Sequence, residues 1–256
     1  MIGRVSTDAD LLTRWRTAYA APAPGWDFAD VAMTVEEPPW SYADWAGRAL
    51  AEVGSVLDLG TGGGEVLLEL AEQVGLPSDT VATEGWAPNL PVASAALADA
   101  GIPVVAYDAE SDPLLPFPDA RFDAVINRHE AYVASEVARV LRPGGRFLTQ
   151  QVDGRSLSEL NALFGGRSAY LHITLEHLTA EATAAGFRVE DTADWAGSLR
   201  FADVTALVAY ARRVPWEVPE DFSVDRYAEV LLELHHSDRE LIFEQRRFVL
   251  LATKPV

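Results

Sequence analysis

Ser55-Val56-Leu57-Asp58-Leu59-Gly60-Thr61-Gly62-Gly63-Gly64-Glu65 decides the fold class. Its first five residues read as a short buried strand, and apolar residues from Glu65 to Val74 then recur at helical spacing until Gly75 and Pro77 stop them. The turn between strand and helix is made of glycines. Such a turn lets backbone approach a ligand closely and points the free N–H groups of a helix N-terminus at it. Working outward, strands are expected at 80–83, 103–107, 122–127, 146–152, 188–193 and 247–252, with helices at 41–53, 88–100, 134–141 and 175–185. Strands separated by helical crossovers of this length predict an α/β, doubly wound, mostly parallel sheet.

The whole chain has 256 residues, 49% hydrophobic and 23% charged, which suits one large globular domain and excludes a disordered or fibrous chain. Cysteine is absent, which rules out disulfides, thiolate nucleophiles and Cys-bound metal. Against 20 Lys and Arg stand 39 Asp and Glu, a formal charge of -19 that would repel a phosphate backbone, so nucleic acid is not expected as a partner. No apolar run is long enough to span a membrane, and the start Met1-Ile2-Gly3-Arg4-Val5-Ser6-Thr7-Asp8 does not read as a signal peptide. A cytoplasmic protein without a membrane partner is expected. Ala20-Ala21-Pro22-Ala23-Pro24-Gly25 reads as a turn after a short first helix.

Three readings compete for the glycine loop. A phosphate-binding P-loop needs Lys and Ser or Thr after its last glycine, where this chain has Glu65 and Val66. A dinucleotide fingerprint would put its third glycine at Glu65, and Asp58 would face the pyrophosphate. The series acid-x-Gly-x-Gly-x-Gly at Asp58, Gly60, Gly62 and Gly64 instead resembles the signature of class I S-adenosylmethionine-dependent methyltransferases. That cofactor has a sulfonium, an ammonium and a carboxylate but no phosphate, so nearby acids favour it.

The resemblance extends from about 41 to 152 in one ordered series. Glu84 follows Gly60 by 24 residues, at the tip of the second core strand, where a carboxylate can accept both ribose hydroxyls. Thr61 lies within the loop; Gly85 follows Glu84, and Asn89-Leu90 fall where the resemblance implies residues near the adenosine. Trp86 reads either as a cover for adenine or as a packing residue. Asp108-Ala109 matches the acid and small residue that read the adenine edge in that family, although Glu110-Ser111-Asp112-Pro113-Leu114 is longer than its pattern. Leu115-Pro116-Phe117, Phe122-Asp123-Ala124-Val125 and Val140-Leu141-Arg142-Pro143-Gly144-Gly145-Arg146-Phe147 complete it.

Ligands of doubly wound sheets sit beyond the carboxyl ends of the strands, so Asn127-Arg128-His129-Glu130-Ala131-Tyr132 faces the reacting centre. Asn127 and Arg128 are candidate cofactor contacts. His129 is the candidate base, with Glu130 to orient it, and the alternative is a histidine that only hydrogen-bonds in the cleft. His177 decorates a helix. His235-His236-Ser237-Asp238 lacks a third ligand, and His129-Glu130 lacks a second histidine at Val133, so no metal is expected. Glu37-Pro38-Pro39-Trp40 superficially resembles the proline-proline-aromatic motif of amino-group methyltransferases acting on nucleobases, but reads better as a bend into the next helix.

Trp15, Trp26, Trp40 and Trp45 precede the glycine loop, and a late insertion carries Tyr210, Arg212, Arg213, Trp216 and Tyr227. These two segments are the expected walls of an acceptor pocket, with Trp40, His172 and Trp216 as candidate contacts. The expectation is therefore one methyltransferase domain over 1–256. It comprises an N-terminal helical cover at 1–53, a cofactor-binding core at 54–152, and a helical insertion at 201–240. The Rossmann-like sheet should have seven strands, mostly parallel with the last antiparallel, plus helical additions. The expected activity is S-adenosylmethionine-dependent methyl transfer to an oxygen or nitrogen of a small molecule; the alternatives are a nucleotide-dependent oxidoreductase and a non-catalytic cofactor-binding module.

Overall fold

The computed structural model describes residues 7–22, 28–237 and 239–256. Ala23-Pro24-Gly25 of the expected turn, Trp26, Asp238 and the first six residues lie outside them. In chain order the elements are α1 (Asp8–Ala20), β1 (Met33–Val35), α2 (Tyr42–Leu50), β2 (Ser55–Leu59), α3 (Glu65–Gln73), β3 (Asp79–Glu84), α4 (Leu90–Leu97), β4 (Val104–Ala106) and β5 (Phe122–Arg128). They continue with α5 (Ala134–Val140), β6 (Leu141–Val152), α6 (Ser158–Leu163), α7 (Leu175–Ala184), β7 (Arg188–Phe201), α8 (Val204–Arg213), α9 (Ala228–His236) and β8 (Leu241–Thr253), with a short 3-10 turn at Pro215–Glu217.

The strands form one sheet in the order β1-β7-β8-β6-β5-β2-β3-β4. β2 is parallel to both β3 and β5, β3 to β4 and β5 to β6, whereas β8 runs antiparallel to β6. The sheet thus has eight strands rather than the expected seven. The additional one is β1, whose three residues pair antiparallel with Leu199–Phe201 of β7. β7 also runs eight residues past the expected end at 193, because exposed and half-buried residues alternate along its length. The expected turn at Arg142-Pro143-Gly144-Gly145 survives as a register jump within β6, from Phe122 opposite Leu141 to Ala124 opposite Arg146.

The chain divides into two compact units. One comprises Pro38–Asp153, His172–Trp195 and Arg247–Val256. β2 is buried at all five positions, as a parallel strand covered on both faces should be. α2 belongs to this unit rather than to an N-terminal cover, since Trp45, Ala46, Ala49 and Leu50 pack with Val56, Leu67, Ile126 and Leu148. The start of the sheet is pinned by Asp123, whose carboxylate accepts from the backbone N–H of Gly54 and of Ser55, each at 3.0 Å, and pairs with Arg142. The other unit comprises Met1–Glu37, Gly154–Leu171 and Ala196–Arg246. Its core gathers Leu11 and Trp15 with Leu160, Phe164, Leu207, Phe222 and Phe243. Trp15, 1% exposed, is therefore a core residue and not a pocket wall.

Candidate active site

The glycine loop leaves β2 with Gly60, Gly62 and Gly64 at φ of +80°, +64° and +93°, a region that side chains other than glycine adopt at a cost. Thr83 of β3 locks the turn: its hydroxyl accepts from Gly60 N–H at 3.1 Å, and its carbonyl accepts from Thr61 N–H at 2.8 Å. Gly64 caps α3 with no side-chain hydrogen bond, so the helix N-terminus ends in backbone alone. A β-carbon on Gly63 would lie 2.2 Å from a Glu65 carboxylate oxygen, which means that Glu65 folds back over the loop. That carboxylate opposes a pyrophosphate and accounts physically for the failure of the dinucleotide pattern at this position.

Around the loop stand acids from neighbouring strands. Asp58, 7% exposed in β2, has its carboxyl pushed up to about 6 by burial, with the charge of Glu84 adding to the effect and the Thr61 hydroxyl opposing it. Glu84, 4% exposed at the end of β3, accepts from Trp86 N–H at 2.7 Å; burial raises its carboxyl and the backbone N–H groups of Trp86, Gly62 and Gly85 oppose the rise. Gly85 is required by close packing, since a β-carbon there would meet the Tyr107 carbonyl at 2.9 Å and Asp108 Cβ at 3.0 Å. Asp108, with Ala109 beside it, follows β4, where its carboxylate takes the Ser111 hydroxyl at 2.5 Å and Glu110 N–H at 2.9 Å. Those bonds hold its carboxyl below the usual range. Glu110-Ser111 of the longer segment thus closes a turn on Asp108. Trp86 is 46% exposed, so the packing reading of it does not hold.

Asn89 is 3% exposed and caps the start of α4 through its backbone, yet its amide nitrogen has no hydrogen-bond partner in the chain. A buried donor left unmade costs on the order of 1–3 kcal/mol, so this atom calls for a ligand acceptor. Asn127, fully buried at the end of β5, donates to the Leu59 carbonyl at 2.9 Å and accepts from Thr149 at 2.8 Å and Gln151 at 2.7 Å. It positions the loop from beneath. Arg128 extends over the Tyr42 ring, its guanidinium carbon 5.8 Å from the centroid, and its Nε is buried without a partner. Tyr42, Arg128, Val66 and Glu69 help line a cavity of about 220 Å³. A second cavity, of about 380 Å³ and lined by Phe201, Leu234, His235 and Leu241 among others, includes none of the expected site residues.

His129 has φ of +62° and is tied to β6 by its N–H on the Gln150 carbonyl at 2.8 Å. The Trp40 indole, which can only donate, gives its N–H to Gln150 Oε1 at 2.9 Å, so Gln150 Nε2 is the donor that faces His129 Nε2 at 3.3 Å. A neutral His129 then carries its proton on Nδ1. The residue as a whole keeps an open surface, yet desolvation of the imidazole, reinforced by the Arg128 and Arg247 charges, holds its pKa well below the ordinary range. Glu130 does not orient it. Glu130 instead lies on the loop, with its Cγ and Cβ 2.3 and 2.4 Å from where a Gly60 β-carbon would stand. Burial pushes its carboxyl up to about 7, with the charges of Glu84, Asp108 and Glu110 adding to the effect.

Sequence reasoning missed Thr83, Gln150 and Gln151. The signal was the polar run Thr149-Gln150-Gln151 directly after Phe147-Leu148 in β6, all three buried. His172 is exposed, its ring 5.8 Å from that of His177. Trp216, 41% exposed, belongs to the unit that holds Gly154–Leu171 and Ala196–Arg246.

Residues 57–149 match the family model described as a methyltransferase domain. An uncharacterised methyltransferase of Bacillus subtilis is 25% identical over 190 residues, covering 72% of each chain. A fatty-acid O-methyltransferase of Mycolicibacterium smegmatis is 48% identical over 56 residues, 19% of each chain. Among solved structures, a provisionally named methyltransferase from Bacillus halodurans superposes with a TM-score of 0.60 at 22% identity, covering 84% of this chain and 99% of that one. The fold is that of the class I methyltransferases, and residues 57–149 match the model of a methyltransferase domain. No described helix is long and apolar enough to cross a membrane.

Proposed function

We propose that this chain methylates an oxygen or nitrogen of a small, partly apolar molecule. The observation that carries the reading is the row Trp40, Gln150 and His129, an indole, an amide and a neutral imidazole hydrogen-bonded in series at the end of β5 and β6. Uncharged polar groups of this kind can align a neutral nucleophile without drawing a polyanion, and the formal charge of -19 repels nucleic acid. The short match to a fatty-acid O-methyltransferase makes an oxygen acceptor the first to test.

The residues present fit the cofactor. Asp58, Gly60, Thr61, Gly62 and Gly64 would cradle its amino-acid portion, Glu84 and Gly85 its ribose, and Asp108, Ala109 and Asn89 its adenine, where the unpartnered Asn89 amide gains an acceptor. When bound, S-adenosylmethionine supplies an electrophilic methyl group on a positively charged sulfur. Asn127 holds the loop in place and Arg128 offers a cation near the cleft. His129 acts through Nδ1–H as a hydrogen-bond donor to the acceptor in this tautomer, since its Nε2 lone pair is taken by Gln150. Trp40 and His172, which share a unit with Gln150 and His129, are the acceptor contacts to substitute. The test is a mass-shift screen of a metabolite extract with S-adenosylmethionine, in which a small molecule should gain one methyl group; exclusive methylation of RNA, DNA or intact protein would overturn the reading.

A further inference from the structure

We infer that Glu130 is the carboxylate that receives the positive charge of S-adenosylmethionine, lying on Gly60 at the amino-acid end of the cofactor. The inference rests on the cofactor placement proposed above and deepens it. Adjacent strand tips order the site: β4 carries Asp108, β3 carries Glu84, β2 leads into the glycine loop, and β5 leads into Glu130. If adenine lies at β4 and ribose at β3, the sulfonium and the ammonium come to the β2 loop and the start of the segment after β5. There the Glu130 side chain packs directly on Gly60, with Oε2 3.1 Å from the position of an added β-carbon. A loop residue with any side chain would expel it.

The carboxylate is also the wrong charge for its surroundings. Its Oε1 accepts only its neighbour's backbone, Ala131 N–H at 3.1 Å, and among the described residues no Lys or Arg pairs with it. The charges that act on it most are those of Glu84, Asp108 and Glu110. Nothing loose explains this placement, because Gln151 Nε2 binds the Glu130 carbonyl at 2.9 Å and His129 N–H is fixed on β6. A chain that anchors an unpaired, half-buried carboxylate beside other acids is arranged to meet a cation there. Methyl transfer removes the sulfonium charge and keeps the ammonium, so a contact to the sulfonium weakens once it has become a neutral thioether, whereas a contact to the ammonium does not.

The test compares the parent with Glu130→Gln, which keeps the shape and removes the charge. Calorimetric titrations use S-adenosylmethionine and its demethylated product, with the melting temperature of the ligand-free protein as a control. S-adenosylmethionine affinity should fall at least tenfold in Glu130→Gln while the ligand-free protein melts no lower than the parent. If the product loses no comparable affinity, the recognised charge is the sulfonium; if both ligands lose it equally, the charge is the ammonium they share. Unchanged affinity for S-adenosylmethionine in Glu130→Gln, or a lower melting temperature that accounts for the loss, would overturn the inference. A parent that binds neither ligand would instead sink the cofactor placement on which it rests.

Discussion

At the level of single residues, the site combines three buried or half-buried carboxylates that are costly to ionise, Asp58, Glu84 and Glu130, with one, Asp108, that is not. Glu130 is held near 7 and Asp58 near 6, whereas hydrogen bonds keep the Asp108 carboxyl low. An unfolded glutamate titrates near 4.3, so between roughly that pH and 7 the folded parent retains a proton on Glu130 that the unfolded chain has lost. The contribution of this group to stability is therefore full at acid pH and lost as pH rises. Glu130→Gln should gain stability over the parent between pH 5 and pH 8, by about 1–2 kcal/mol after allowance for partial solvent screening. Denaturant titrations of both proteins at each pH measure it; a constant difference would mean that Glu130 ionises normally. At Glu84 the expectation concerns the ligand, because its carboxylate faces ribose in the proposed placement. Glu84→Ala should weaken cofactor binding by about tenfold to a hundredfold, from the loss of charge-assisted hydrogen bonds, without unfolding the domain. Parent-like affinity in that variant would show that the ribose lies elsewhere.

Among the elements, the end of β6 organises the site as much as the glycine loop does. Gln151 Nε2 bonds Asn127 Oδ1, Thr149 Oγ1 and the Glu130 carbonyl at 2.7, 2.9 and 2.9 Å, tying β5 and the segment after it to β6. Gln151→Leu should release that segment. It should lower cofactor affinity and speed amide hydrogen exchange at 128–131 more than elsewhere, whereas uniform exchange would mean only a general loss of stability. Why the sequence revealed some of this and not the rest follows from range. β2, the loop and α3 are contiguous, and their pattern of apolar strand, glycines and amphipathic helix was legible, as were Asp58 and Glu84 at strand tips. Gly60 under Glu130, and Trp40 joined through Gln150 to His129, link positions far apart in the chain, with no local pattern to mark them. β1 was missed for the same reason: Met33-Thr34-Val35 is a strand only because β7 offers an edge. The Glu130 and His129 pairing expected from adjacency failed because the left-handed turn at His129 and the bond to Gln150 send the two side chains to different partners.

Across the whole molecule, 39 acids against 20 bases set a field that no single contact describes. A net charge of -19 raises the local concentration of cations and disfavours polyanions, and salt screens exposed charges beyond a Debye length, about 8 Å near physiological ionic strength. S-adenosylmethionine carries one more positive charge than its demethylated product, while the two share adenosine, ammonium and carboxylate. The difference in their salt response therefore isolates the sulfonium charge from every other contact. Raising monovalent salt from about 20 to about 300 mM should weaken S-adenosylmethionine several-fold and the product by less than twofold. Titration calorimetry at four or five salt concentrations gives both slopes. Equal slopes would mean that the site is shielded from the acidic field and that Asp58, Glu84 and Glu130 act, if at all, only through direct hydrogen bonds. A steeper slope for the product would contradict the sign of the field and with it the electrostatic account of cofactor preference.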